Sequence, residues 1–136
     1  MIENVPLMNI VRKINQELAI SGQISQYQLN QIVEEGYKSV LNLCFADEEC
    51  WWEDEQENTE LLGLSYVNVP IKLENLNHQA ALQVFQTISE CPKPMLIHCD
   101  ISIRSAGIVL LYIATKQGID FEQAWQQTSK LCLLKK

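Results

Sequence analysis

The chain has 136 residues, enough for one domain with a hydrophobic core and too few for a second catalytic unit. With 47% hydrophobic and 20% charged residues, 5 Gly and 4 Pro, the composition excludes collagen-like, low-complexity and disordered classes. Ten Lys/Arg against 17 Asp/Glu give a net charge of −7, yet seven of the acids crowd into residues 47–58, and the other 124 residues balance at 10 of each sign.

That balance leaves no basic excess with which to grip a nucleic-acid backbone or an anionic membrane surface. The amino-terminal string MIENVPLMNIVRK lacks the basic-then-apolar order of a signal peptide. The longest apolar helical stretch, Ala106 to Ala114, falls well short of the roughly 18–20 residues that a membrane span needs. Five cysteines, at 44, 50, 91, 99 and 132, form no Cys-x-x-Cys pair and show no zinc-site spacing. The expectation is a single cytoplasmic domain over residues 1–136 with reduced thiols, no metal, and neither nucleic acid nor membrane as a partner.

In chain order, Leu18-Ala19-Ile20 reads as a first strand closed by Ser21-Gly22. Ser25-x-x-Gln28 has the form of a capping box, and Leu29, Ile32 and Val33 then share one helical face before Gly36 terminates it. Ser39 to Leu43 reads as a second strand. Beyond the acidic segment, a short helix over Glu57 to Leu62 stops at Gly63, and Tyr66 to Val69 supplies a third strand before Pro70. Asn77 is placed to cap a helix in which Ala81, Val84, Phe85 and Ile88 line one buried face, ended by Cys91-Pro92. Met95 to His98 is a short apolar run suited to a central strand. The following helix is apolar on nearly every side, which predicts a place in the middle of the domain, and Gly118 closes it. Asp120 caps a last helix with Phe121, Ala124, Trp125 and Thr128 inward. This alternation predicts an α/β fold, a mostly parallel sheet of about four strands flanked by helices. Ligands of such sheets sit at the carboxyl ends of the strands, so the loop after His98 is the place to look.

Residues 98–105 read His-Cys-Asp-Ile-Ser-Ile-Arg-Ser. A thiol at a strand end, just before a helix, lies under unpaired N–H groups and the positive end of the helix dipole, both of which favour a nucleophilic sulfur. Arg104, in the first helical turn, can aim a planar fork of donors at a tetrahedral oxyanion. The pattern calls for an anion held above a sulfur nucleophile. A lone buried cysteine is usually an inert core residue, and Cys50, Cys91 and Cys132 are read that way. The acidic run is read as a solvated loop, although its adjacent Trp51 and Trp52 suggest packing over the site or contact with a partner.

The string resembles the His-Cys-x5-Arg-Ser/Thr signature of the dual-specificity and tyrosine phosphatases, with one intervening residue fewer between Cys99 and Arg104. That spacing is similar to the phosphatase-like domain of the beta-lactamase-hydrolase-like family, a bacterial offshoot of the dual-specificity phosphatases. The resemblance covers roughly residues 10–115, including Leu18 to Ile24, the Gly36 to Leu43 segment and Tyr66 to Ile71. It implies a cysteine-phosphatase-like fold and a thiol-phosphate mechanism without cofactor or metal. Cys99 is then the nucleophile, and the loop Cys99, Asp100, Ile101, Ser102, Ile103, Arg104 and Ser105 binds the phosphate. Ser105 assists release of the sulfur, and His98 supports the loop. The substrate implied is a phosphorylated protein or small phosphoester, with basic flanks suited to the acidic segment. The general acid of the family is an Asp in a loop after the preceding strand. Here Pro70 to Ala81 holds only Glu74, and Asp47 is the other candidate and the one taken first. The family also commonly places Gly, free to adopt positive φ, where this chain has Ser102.

Two further residues carry expectations of their own. Cys44, at the end of the second strand, is expected on the same sheet edge as Cys99, where some phosphatases of the resembled superfamily carry a cysteine that traps the oxidised nucleophile, and a reversible Cys44–Cys99 disulfide under mild peroxide is expected from it. Asp100, if it faces the site, repels a phosphate dianion by about 2–3 kcal/mol per charge pair at ~6 Å and an effective dielectric near 20. Two rival functions remain: a rhodanese-like sulfurtransferase, which also uses a short Cys-initiated loop, and an inactive pseudophosphatase that binds anions or partners.

Overall fold

The computed structural model describes residues 10–134, with the side chains of 129 and 131–134 excluded. The readings of the amino terminus and of the Cys132 side chain lie outside what is described. Five strands form one sheet: β1 (Arg12–Lys13), β2 (Leu18–Ser21), β3 (Ser39–Asn42), β4 (Ser65–Asn68) and β5 (Met95–His98). Their order is β1-β2-β5-β3-β4, with β1 antiparallel to β2 and every other pairing parallel. The expected four strands are therefore joined by a fifth. β1 is two exposed polar residues long, so no apolar alternation announces it.

Among the described residues there are also five α-helices: α1 (Gln26–Glu34), α2 (Glu55–Leu61), α3 (His78–Glu90), α4 (Ile103–Lys116) and α5 (Phe121–Leu134). The Ser25–Gln28 capping box forms with both of its bonds, a feature worth about 1 kcal/mol. Asn77 caps α3 by accepting from the Ala80 amide. α2 begins two residues earlier than its sequence suggests, at Glu55, and two acids in its first turn complement the helix dipole.

Side chains alternate across the three central strands, β2, β5 and β3, which are buried throughout. Leu18, Ile20, Leu41, Met95 and Ile97 point to one face, where they pack with Val84, Phe85 and Ile88 of α3, Ile108 and Leu111 of α4, and Ala124 of α5. Ala19, Val40 and Leu96 point to the other, against Leu29 and Ile32 of α1. α4 is central, as its composition requires, touching β2, β5, α3 and α5. It is not covered on all sides, for Leu110 remains 43% exposed. The acidic segment is not simply a solvated loop: Trp51 packs against the first cluster, Trp52 against the second, and Glu55 is fully buried.

This arrangement brings Ser21, His98 and Asn42 level with one another at the carboxyl edge of the sheet. Pairing continues one step beyond, through Leu43 N–H to His98 O and Cys99 N–H to Ser21 O. The loop of residues 99–102 thus starts from a buried sheet edge that is hydrogen-bonded on both sides. No helix among the described residues is long and apolar enough to cross a membrane.

Candidate active site

Alternation along β5 sends His98 and Cys99 to opposite faces. Cys99 is fully buried beneath α4. Its Sγ accepts from the Ser105 hydroxyl at 3.2 Å and from the Ser105 amide at 3.4 Å. The Ser105 hydroxyl also lies 3.4 Å from Ser21 O, which ties the sulfur's donor to β2. These are contacts suited to a sulfur that carries, and later releases, a covalent group.

His98 is held from the other face. Its Nε2 is hydrogen-bonded to Glu55 Oε2, and Gln23 Nε2 donates to Glu55 Oε1 at 3.0 Å. His98 Nδ1 lies 3.5 Å from Cys99 O, at the limit of a hydrogen bond, so the ring is fixed chiefly by Glu55. The sequence offered no signal for Glu55, which shares the composition of its exposed neighbours.

The short loop has a strained hinge. Ser102 adopts φ 76°, the left-handed region, at the position where the resembled family favours Gly. On the neighbouring turn Gly22 is required for a different reason: a Cβ there would meet Asp100 O at 2.7 Å. The Gln23 amide donates to that same oxygen at 3.1 Å, so the two turns are pinned together.

Arg104 reaches the site but does not wait open. Its Nη2 and Nη1 donate to Glu48 Oε1 and Oε2 at 2.6 and 2.9 Å, a bidentate fork. Nη2 also lies 3.0 Å from Asp100 Oδ1, and Nη1 donates to Ile71 O at 3.1 Å. Asp100 Oδ1 further accepts the Ile101 amide at 2.8 Å. Arg104's hydrogen bond holds the Glu48 carboxyl below its ordinary range. Burial opposes ionisation of Asp100, but the bonds from Arg104 and from the Ile101 amide outweigh it and lower its pKa. The Arg104 guanidinium is raised in turn, first by Glu48's hydrogen bond. The bare repulsion expected of Asp100 is therefore corrected: its charge faces the site, yet Arg104 compensates it.

A cleft of about 360 Å³ opens beside this cluster, lined by Glu48, Lys72, Leu73, Glu74, Asp100, Ile101, Ile103 and Arg104. The first-turn amides of Ile103 and Arg104 have no intrahelical acceptor, which makes this end of α4 receptive to an anion. Glu74 lines the cleft, whereas Asp47 is exposed and lies outside its lining. Ile101 stands 66% exposed at the loop tip.

Cys44 lies on the same sheet edge as expected, but the sulfur against it is that of Cys50, at 3.5 Å. Arg104 Nη2 approaches Cys44 Sγ at 3.9 Å. Cys44, Glu48 and Cys50 offer three donor atoms within 4.8 Å of one another. Both Glu48 oxygens are already engaged by the Arg104 cation, which disfavours a second cation there.

No family model matches the sequence, and no curated protein does. Solved structures do. A provisionally assigned DUF442 phosphatase from Shewanella putrefaciens CN-32 superposes with a TM-score of 0.76 at 20% identity, covering 97% of this chain and 98% of that one. TpbA of P. aeruginosa, solved with phosphotyrosine, gives 0.70 at 14% identity over 92% and 75%. The core catalytic domain of the S. cerevisiae PP-IP phosphatase gives 0.66 at 17% identity over 90% and 75%. The chain therefore shares the fold of these solved structures, here a mostly parallel five-stranded sheet flanked by helices.

Proposed function

We propose that the chain is a cysteine-dependent phosphatase-like hydrolase acting on a phosphoprotein or small phosphoester, captured here in a self-closed state. The observation that carries the reading is the convergence of Arg104 and the Ile101 amide on carboxylate oxygens. Donors that gather oxyanions from the protein itself are equipped to gather those of a phosphoryl group. Glu48 and Asp100 engage the donors that a phosphoryl group would use, and a phosphoester must displace Glu48 to reach the fork.

In the open state the Cys99 sulfur attacks phosphorus. The S–P bond forms as the bond to the leaving oxygen breaks, and that oxygen takes a proton from Glu74, since the other two acids of the cleft, Glu48 and Asp100, are paired with Arg104. Water then gives a proton to the Glu74 carboxylate and attacks the phosphocysteine, the P–S bond breaks, phosphate leaves, and the sulfur regains its electron pair beside the Ser105 hydroxyl. His98 supports the loop from behind through Glu55. A phosphosite flanked by Lys or Arg suits the acidic 47–58 segment.

The test is p-nitrophenyl phosphate hydrolysis with vanadate inhibition, on wild type and on Cys99→Ser. Turnover should fall by several orders of magnitude in Cys99→Ser while phosphate binding persists. Undiminished turnover would remove Cys99 from the mechanism. Loss of Glu74 should cost about 10²–10⁴-fold on poor leaving groups and far less on good ones, with Asp47→Asn inert. The sealed sulfur and occupied guanidinium favour one second reading, a module that binds a phosphate-bearing ligand without hydrolysing it. In that case phosphate binds the wild type and neither protein turns over. Thiocyanate formation from thiosulfate and cyanide in excess of ester hydrolysis would instead indicate sulfur transfer.

A further inference from the structure

We propose that Cys44 and Cys50 form a reversible disulfide that clamps Glu48 onto Arg104, a redox clasp on the oxyanion site. The clamp's effect on substrate rests on the phosphatase-like reading above, whereas the bond itself does not. The two sulfurs lie 3.5 Å apart, so about 1.5 Å of approach brings them to the length of an S–S bond. Cys44 is anchored: its amide donates to Asn42 Oδ1 at 2.9 Å and its carbonyl accepts from Asn68 Nδ2 at 3.0 Å. Cys50 is partly exposed and is the sulfur an oxidant meets first.

Glu48 lies between the two cysteines in sequence and is tied to the same turn. Its amide donates to Phe45 O at 3.1 Å, its carbonyl accepts from Trp51 N–H at 3.0 Å, and its Oε2 accepts from Phe45 N–H at 2.7 Å. To release Arg104 the Glu48 carboxylate must also give up the Phe45 amide, so the ion pair and the turn share one acceptor. A bond from Cys44 to Cys50 closes the turn into a ring that contains Glu48, and so holds its carboxylate on the guanidinium.

The oxidant is a peroxide. Cys50 attacks one oxygen of hydrogen peroxide, the O–O bond breaks, and the first water leaves with Cys50 as the sulfenic acid. Cys44 then attacks the Cys50 sulfur, the S–O bond breaks, and a second water departs, the two thiols having supplied two electrons and two protons. Burial and the neighbouring thiol push the Cys44 thiol up, and burial pushes up that of Cys50, so the reaction needs more peroxide than an activated thiolate does. A dithiol reductant reverses it.

The experiment treats the whole chain with hydrogen peroxide, alkylates remaining thiols and maps peptides without reduction. The same preparations are titrated with inorganic phosphate, and hydrogen exchange is followed at the Phe45 amide. A Cys44–Cys50 bond is expected, with phosphate bound about tenfold more weakly than by the reduced protein and the Phe45 amide more protected. Cys50→Ser, or Cys50→Ala should serine disturb the fold, should keep reduced-state binding and lose all sensitivity to peroxide. A Cys44–Cys99 bond, or over-oxidised cysteines alone, would overturn the proposal. So would a Cys44–Cys50 bond that left both phosphate affinity and Phe45 protection unchanged. If the reduced protein bound no phosphate while Phe45 protection still rose on oxidation, the clasp would stand and the oxyanion-binding reading would fall.

Discussion

Two carboxylates from the same acidic run meet two basic side chains of the same loop, and they do so in different surroundings. Glu55 and His98 are enclosed in the core, with side chains 1% and 0% exposed. Glu48 and Arg104 sit at the cleft, with side chains 20% and 12% exposed. Inside the core a hydrogen-bonding group that loses its partner has no water to replace it, so the Glu55–His98 contact is permanent. At the cleft either member can be taken over by solvent or by an incoming anion. The first pair therefore holds the loop's foundation and the second acts as its latch.

The largest effect that would break this comparison is expected at the core pair. Glu55→Ala removes the side-chain partner of His98 Nε2 and one of two acceptors of Gln23 Nε2, and should destabilise the fold by about 1–3 kcal/mol, seen as a lowered midpoint in denaturant. Glu55→Gln, which retains an acceptor, should cost less. A null effect of Glu55→Ala on stability would mean that the buried pair does not anchor the loop.

At the latch the effect should move from stability to binding. Glu48→Gln should change stability by less than about 1 kcal/mol and strengthen phosphate binding by about tenfold, equivalent to 1.4 kcal/mol, because the fork is no longer held by a charged competitor. The pH dependence has a definite sign. Because the Glu48 carboxyl is lowered from its ordinary value of 4.5 in the folded protein, its stabilising contribution is complete above that value. It is lost as pH falls through the lower folded value. The stability difference between wild type and Glu48→Gln should therefore vanish only below the ordinary carboxylate range, as acid titration followed by circular dichroism would show. Equal phosphate affinity in the two proteins would remove the latch.

The smallest effect is expected at the hinge between them. Ser102 bears a left-handed strain of about 1–2 kcal/mol, and glycine relieves it while adding about 0.5–1 kcal/mol of backbone entropy cost. Ser102→Gly should stabilise the protein by about 0.5–1 kcal/mol in chemical denaturation. A destabilised variant would show that the serine side chain contributes more than the strain removes.

What the sequence determined by itself is the local grammar. Capping residues such as Ser25 and Asn77, the short apolar runs Leu18 to Ile20 and Met95 to Ile97, and the cysteine between a buried strand and a buried helix act over a few residues, and each formed as read. The left-handed φ of Ser102 was signalled only through the resemblance, in which Gly commonly fills that position, and not by the serine itself. The tertiary structure alone decided which members of the acidic run were recruited. Asp47 and Glu48 are neighbours of like charge, as are Asp54 and Glu55, and nothing local separates them. Glu48 was chosen because the turn after β3 lays it on Arg104, 56 residues away, and Glu55 because the first turn of α2 covers His98, 43 residues away. The same holds for Cys44, whose partner was set by the path of that turn and not by its distance along the chain from Cys99. Pairings of this kind depend on where folded elements meet in space, information that a run of similar acids does not carry in its own composition.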